Sequence, residues 1–104
     1  MPPNIPERFS DYSCADYFDS DTFTRGVWHE PSQLWVIVPA DKVAERRELE
    51  FLVVGRPGCD GIEFGYRKGL DGLWVYYPIG REFRLLAPNV AELVVGWFGG
   101  SITV

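Results

Sequence analysis

The stretch from Val53 to Gly80, VVGRPGCDGIEFGYRKGLDGLWVYYPIG, decides the fold. It holds seven glycines, the neighbours Cys59 and Asp60, and two aromatic-rich apolar runs. It could be a phosphate loop, a loop carrying a nucleophile, or the corners of a small sheet. A Walker loop needs Gly-Lys-Ser/Thr opening a helix, and a dinucleotide loop needs a helix N-terminus at the phosphate. Here Gly55, Gly58 and Gly61 precede a strand-like run, and Arg56 is the only base between them. Sheet corners account for these glycines best.

A nucleophilic Cys59 would want a basic partner and an electropositive setting. The only histidine, His29, lies far away in the chain, and Asp60 beside the sulfur opposes its ionisation. Structural zinc wants four ligands at short spacings, whereas Cys14, His29 and Cys59 are scattered. The close carboxylates Asp60 and Glu63, and Asp19 and Asp21, have no cleft assigned to them by the sequence. The expectation is no catalytic residue, no metal and no cofactor, with an enzyme built on the 55–61 loop as the weakest alternative.

Working outward, Leu34–Val38, Glu48–Val54, Ile62–Arg67, Leu73–Tyr77 and Glu82–Leu86 read as strands. The last four form an antiparallel meander, with Asp71-Gly72 as a hairpin turn pair. Residues 40–48 read as one or two helical turns. Pro88 and Asn89 open the clearest helix, in which Val90, Leu93, Val94, Trp97 and Phe98 form one apolar stripe and Gly99-Gly100 ends it. A short helix is expected from Ser13, with Asp16 completing a capping signature and Tyr17, Phe18 and Phe23 packing inward. Prolines 2, 3 and 6 predict a loose lead-in over residues 1–12. The expected class is α+β: a mostly antiparallel sheet of four to six strands with the C-terminal helix and the short N-terminal helical segment packed on it, as one domain over 1–104.

Alternation along the strands assigns two faces. Val53, Ile62, Phe64, Tyr66, Leu73, Val75, Tyr77, Phe83 and Leu85 make an apolar face for the C-terminal helix. Glu63, Gly65, Arg67, Trp74, Tyr76, Glu82 and Arg84 make a mixed face rich in residue types that dominate binding hot spots. Cover from the N-terminal segment, through Phe23 or Trp28, is the competing fate of Trp74 and Tyr76.

The formal net charge of −5 argues against nucleic acid, which needs clustered Lys and Arg. Residues 1–33 carry six acids and two bases, enough to steer a basic partner, although a solvated face is the plainer explanation. No run approaches the ~20 apolar residues of a membrane span. The opening MPPNIPERFS lacks the basic start and apolar run of a secretory signal, so the expectation is a cytoplasmic protein with reduced thiols.

Three motifs resemble the SUKH superfamily, which includes a fungal regulator of cell-wall assembly and many bacterial immunity proteins. They are the apolar strand that ends in a Gly/Asp turn before GIEFGYR, the strand GLWVYYP, and the closing helix LAPNVAELVVGW. The resemblance spans roughly residues 34–100 and implies a non-enzymatic domain that binds and neutralises a toxin. The family has no shared catalytic residues, so the candidate contacts come from this sequence alone: Glu63, Arg67, Trp74, Tyr76 and Arg84 on the mixed sheet face, with Asp16, Asp19 and Asp21 as steering acids. The expected partner is a protein, in a monomer or homodimer. The alternative function is a regulatory domain that dimerises through an edge strand such as 34–38 or 101–104.

Overall fold

Phe51 to Val54 contains no polar side chain, and the chain buries all four residues by covering the strand on both sides. The computed structural model describes residues 5–31, 33–58 and 61–102. Its helices are α1 (Ala15–Phe18), α2 (Asp21–Thr24) and α3 (Val90–Gly99). Its strands are β1 (Val27–His29), β2 (Leu34–Ile37), β3 (Ala44–Arg46), β4 (Phe51–Gly55), β5 (Glu63–Arg67), β6 (Leu73–Tyr77) and β7 (Glu82–Ala87). Single turns of 3-10 helix lie at Glu7–Phe9, Ala40–Lys42 and Arg47–Leu49. The fold is α+β, with a five-stranded antiparallel sheet in the order β3-β4-β5-β6-β7 and a two-stranded hairpin β1-β2.

The expected meander is β4 to β7. Residues 40–48 do not form the helical turns expected across them, because Ala44, Glu45 and Arg46 pair with Val53, Leu52 and Phe51. Beyond Val53 the same edge of β4 is taken up by β2 and the residue after it. Val38 N–H donates to the Val54 carbonyl and Arg56 N–H to the Trp35 carbonyl. Segment 34–38 therefore lies between β1 and the end of β4, and is not the open edge expected of it. A Cβ at Gly55 would run into the Val36 carbonyl oxygen, so this close approach needs glycine. Ser101 and Ile102 form no strand, and the rest of the expected 101–104 edge lies outside the described residues.

The β5–β6 connection is longer than Asp71-Gly72 predicts. Gly65 pairs with Trp74, Gly69 and Gly72 take positive φ, and Asp71 does not, so the two-residue turn that needs positive φ at both positions is not formed. The lead-in is docked from residue 5 onward. Phe9 and Tyr12 are buried, and Tyr12 bridges to Lys68.

The main core lies between one sheet face and the helices. Leu52, Val54, Phe64, Tyr66, Leu73 and Val75 meet Tyr17 and Phe18 of α1 and Val90 and Leu93 of α3. Burying a side chain of this size contributes about 1.5–3 kcal/mol. The α3 boundaries follow the sequence signals: the Asn89 side chain accepts from Glu92 N–H at 2.8 Å, and Gly100 closes the helix in the left-handed region. At α1 the expected cap is absent. Cys14 is the N-cap residue, its side chain makes no capping bond, and Asp16 is used elsewhere. Ser20, not singled out in the sequence, caps α2 by accepting from Phe23 N–H.

Candidate functional site

The other face of the sheet carries a second, smaller core made of Phe51, Val53 and Tyr76, with Leu49, Trp74 and Phe83 packed against it. No helical residue of α1, α2 or α3 belongs to this cluster. Its rings pack on one another: Tyr76 lies 4.8 Å from Phe83 and 6.2 Å from Phe51, centroid to centroid. The Arg67 guanidinium lies over both Phe83, at 4.3 Å, and Trp74, at 4.8 Å. Such stacking keeps the charge wet while its plane shields the rings. The Trp74 indole N–H donates to the Asp71 carbonyl at 3.0 Å.

Two strands sit on this face in a phase opposite to the one expected. Phe83 pairs with Tyr76 and Leu85 with Trp74, so both belong here and not beneath α3. Val53 pairs with Gly65 and joins them. Arg84 pairs with Val75 and lies over the Tyr77 ring at 5.6 Å, on the opposite side of the sheet from the face predicted for it. A one-residue change of phase moves every side chain of a strand to the other face. Leu85 is left 53% exposed beside half-buried Trp74.

Of the predicted contact residues, Glu63, Arg67, Trp74 and Tyr76 are brought together here. Tyr76 is buried by its neighbouring rings, and neither Phe23 nor Trp28 covers it. Phe23 packs on the main core, and Trp28 packs edge-to-face on Trp35 in the β1-β2 hairpin. Glu63 is buried in an ion pair: Arg46 Nε donates to Oε1 at 3.2 Å and Nη2 to Oε2 at 2.7 Å. Arg56 Nε stands 3.8 Å from the same carboxylate. The bidentate partner raises the Arg46 guanidinium above its usual pKa. Arg46 and Arg56 were missed because residues 40–48 read as helix and Arg56 as an isolated base. The Arg-Arg run at 46–47 was the only available signal.

The three predicted steering acids lie in the helical layer. Asp16 is structural: Oδ1 accepts from the Tyr66 hydroxyl at 2.9 Å and Oδ2 from Val90 N–H at 2.7 Å, tying α1 to the sheet and to the start of α3. Burial, then the Asp16 charge and hydrogen bond, push the Tyr66 phenol far up. Asp19 and Asp21 are exposed around the α1–α2 junction.

On either side of residues 59–60, Gly58 and Gly61 both take positive φ. Gly58 has a φ of 87° and packs on Leu34, while Cys59 and Asp60, the residues behind the enzyme alternative, lie outside the described residues. Cys14 is fully buried, and burial pushes its thiol up to about 11, which keeps it protonated and unreactive near neutrality. Among the described residues no three His, Cys, Asp or Glu side chains gather as a metal site requires, and no helix is long and apolar enough to cross a membrane. The chain matches no protein-family model, no curated protein and no solved structure.

Proposed function

We propose that the chain is a non-enzymatic protein-binding domain whose contact surface is the sheet face bearing Arg67, Trp74, Phe83 and Leu85. The observation that carries this reading is the half-exposed Leu85 set against Trp74, Phe83 and an aromatic-stacked arginine, on a face to which α1, α2 and α3 contribute no residue. Rigid aromatic and arginine anchors with a partly wet apolar centre are the chemistry of an interface hot spot. In keeping with the SUKH resemblance, the domain acts as an immunity-type inhibitor, covering the working surface of a toxin. Asp19 and Asp21 add long-range attraction for a basic partner, which raises the association rate more than the final affinity. The homodimer alternative would have to use a different strand from 34–38, since that segment already has hydrogen-bonding neighbours on both sides.

The test is affinity capture from the source cell, repeated with Trp74→Ala and Leu85→Asp after circular dichroism has shown both to be folded. Either change should weaken capture of the specific partner by about 30-fold or more, the scale of a 2 kcal/mol hot spot. Undiminished capture by both variants removes this face as the interface.

A further inference from the structure

We propose that the outer edge of β7 pairs antiparallel with the same edge of a second copy of this chain, joining two five-stranded sheets across a two-fold axis at Phe83. Among the described residues β7 has β6 as its only strand neighbour, and at six residues it is the longest strand. The opposite edge of the sheet is different. β3 has three residues, all half-buried, and two of them are committed inside the fold: Glu45 accepts from the Tyr12 hydroxyl at 2.9 Å, and Arg46 holds Glu63. A long exposed edge presents N–H and C=O groups that another strand can use.

The side chains of β7 choose both the partner and the register. A closed dimer is self-complementary: where one residue of the first copy meets another of the second, the reverse contact also forms. Side chains opposite each other in an antiparallel pair share a face, so such a dimer centres on one residue meeting itself. Centring on Glu82 or on Arg84 sets two like charges directly opposite each other. Centring on Leu85 runs the ladder into Leu86, the extra residue of a bulge, since Leu85 pairs with Trp74 and Ala87 with Leu73. Centring on Phe83 sets Glu82 of each copy opposite Arg84 of the other. Both side chains are exposed and on the same side of the sheet, because their partners on β6 are Tyr77 and Val75. On the other side the two Phe83 rings lie opposite each other, each under its own Arg67 guanidinium at 4.3 Å, and half-exposed Leu85 lies diagonal to Phe83 of the second copy. Two opposite-charge pairs and one aromatic pair favour this register. Arg81, at a φ of 53°, leaves the extended region and ends the ladder, so the ladder is short and the dimer weak. The pairing uses the backbone edge of β7 and stands without the toxin-binding reading.

The test is sedimentation equilibrium of the full chain at low salt, at concentrations up to about 1 mM, where a weak dimer is populated. Self-association should be reversible and should rise with concentration. Glu82→Arg alone, or Arg84→Glu alone, puts like charges opposite each other twice in each dimer, and either should weaken association about tenfold or more. Glu82→Arg also reduces the net charge of −5, so its effect cannot come from general repulsion between copies. The two changes together restore opposite charges and should return association to within about threefold of the parent. A mixture of labelled and unlabelled parent chain should show contacts between Phe83 rings of different copies in an isotope-filtered NMR spectrum. A chain that stays monomeric at the highest concentration, an association that the single reversals leave unchanged, or a double variant no better than the singles overturns the proposal. Capture by Trp74→Ala reads the toxin-binding face separately, so either proposal can fail alone.

Discussion

Phe64 and Tyr76 lie on neighbouring strands of one sheet, and each represents one face. Phe64 points to the helical layer, where the Trp97 ring of α3 meets it edge-on at 5.4 Å. Tyr76 points the other way and is buried by Phe51 and Phe83 of its own sheet, with Arg67 stacked on Phe83. Both residues are buried, but by different means. The first face needs three helices to keep water out. The second closes over itself with rings and one guanidinium, and so leaves Trp74 and Leu85 partly wet. A sheet can in this way keep one face for stability and hold the other available to a partner without exposing a large apolar patch.

The largest effect that separates the faces is expected from emptying the helical side. Phe64→Ala removes a fully buried ring between the sheet and α3 and should cost about 3–5 kcal/mol, read as a lower denaturant midpoint. Phe83→Ala, at a half-buried position on the self-closed face, should cost less than half of that. Equal losses would mean that both faces carry stability alike, and the distinction would fail.

A smaller effect comes from alkaline pH, which acts on the helical side. The Cys14 thiol is raised from 9.0 to about 11 by burial, and Tyr17 and Tyr66 are also raised above the ordinary phenol value, first by burial. Each of these groups keeps its proton in the folded chain and loses it more readily when unfolded. The stability they contribute is fully present below their unfolded pKa values and declines as pH rises through that range. Between pH 9 and 11 the Cys14 share of this loss is at most about 3 kcal/mol. Cys14→Ser, or better Cys14→Ala, should flatten the decline of the unfolding free energy over that interval. An unchanged slope would show that the thiol is not sealed in the core.

The helical side was the more legible in the sequence. Asn89, the Val90–Phe98 stripe and Gly100 all signal one helix at one phase, and α3 forms there. Ile62, Phe64, Tyr66, Leu73 and Val75 alternate cleanly and lie on the expected face. The second face was misread where the pattern carries no phase. Phe51 to Val54 is apolar throughout, so nothing local says which way Val53 points. In Glu82 to Leu85 the alternation is clear but its direction is not. The four-residue turn 78–81 sets the pairing of Tyr77 with Glu82, and that sends Phe83 and Leu85 to Tyr76 and Trp74. The Arg46–Glu63–Arg56 cluster was hidden for another reason. β3 adds to the β4 edge by folding back on it across the short turn 47–50, Arg46 pairing with Phe51, against a residue pattern that reads as helix. Asp16 was read as a surface acid because its partners, Tyr66 and Val90, lie 50 and 74 residues away along the chain.

The smallest expected effect on stability is the one that bears most on the second face. Leu85 lies on edge strand β7, 53% exposed, opposite Trp74. A leucine there that served only the fold would act as a lid over Trp74 and the nearby Gly72, and its truncation would open both to water. If the residue is kept for a partner, Leu85→Ala should leave the unfolding free energy within about 0.5 kcal/mol of the parent, as surface substitutions usually do. Paired with weakened capture, that small number is the informative one, because it separates a contact residue from a structural one. A loss well above 1 kcal/mol would make Leu85 part of the closure of this face, and the surface left for a partner would shrink to the rims of Trp74 and Arg67.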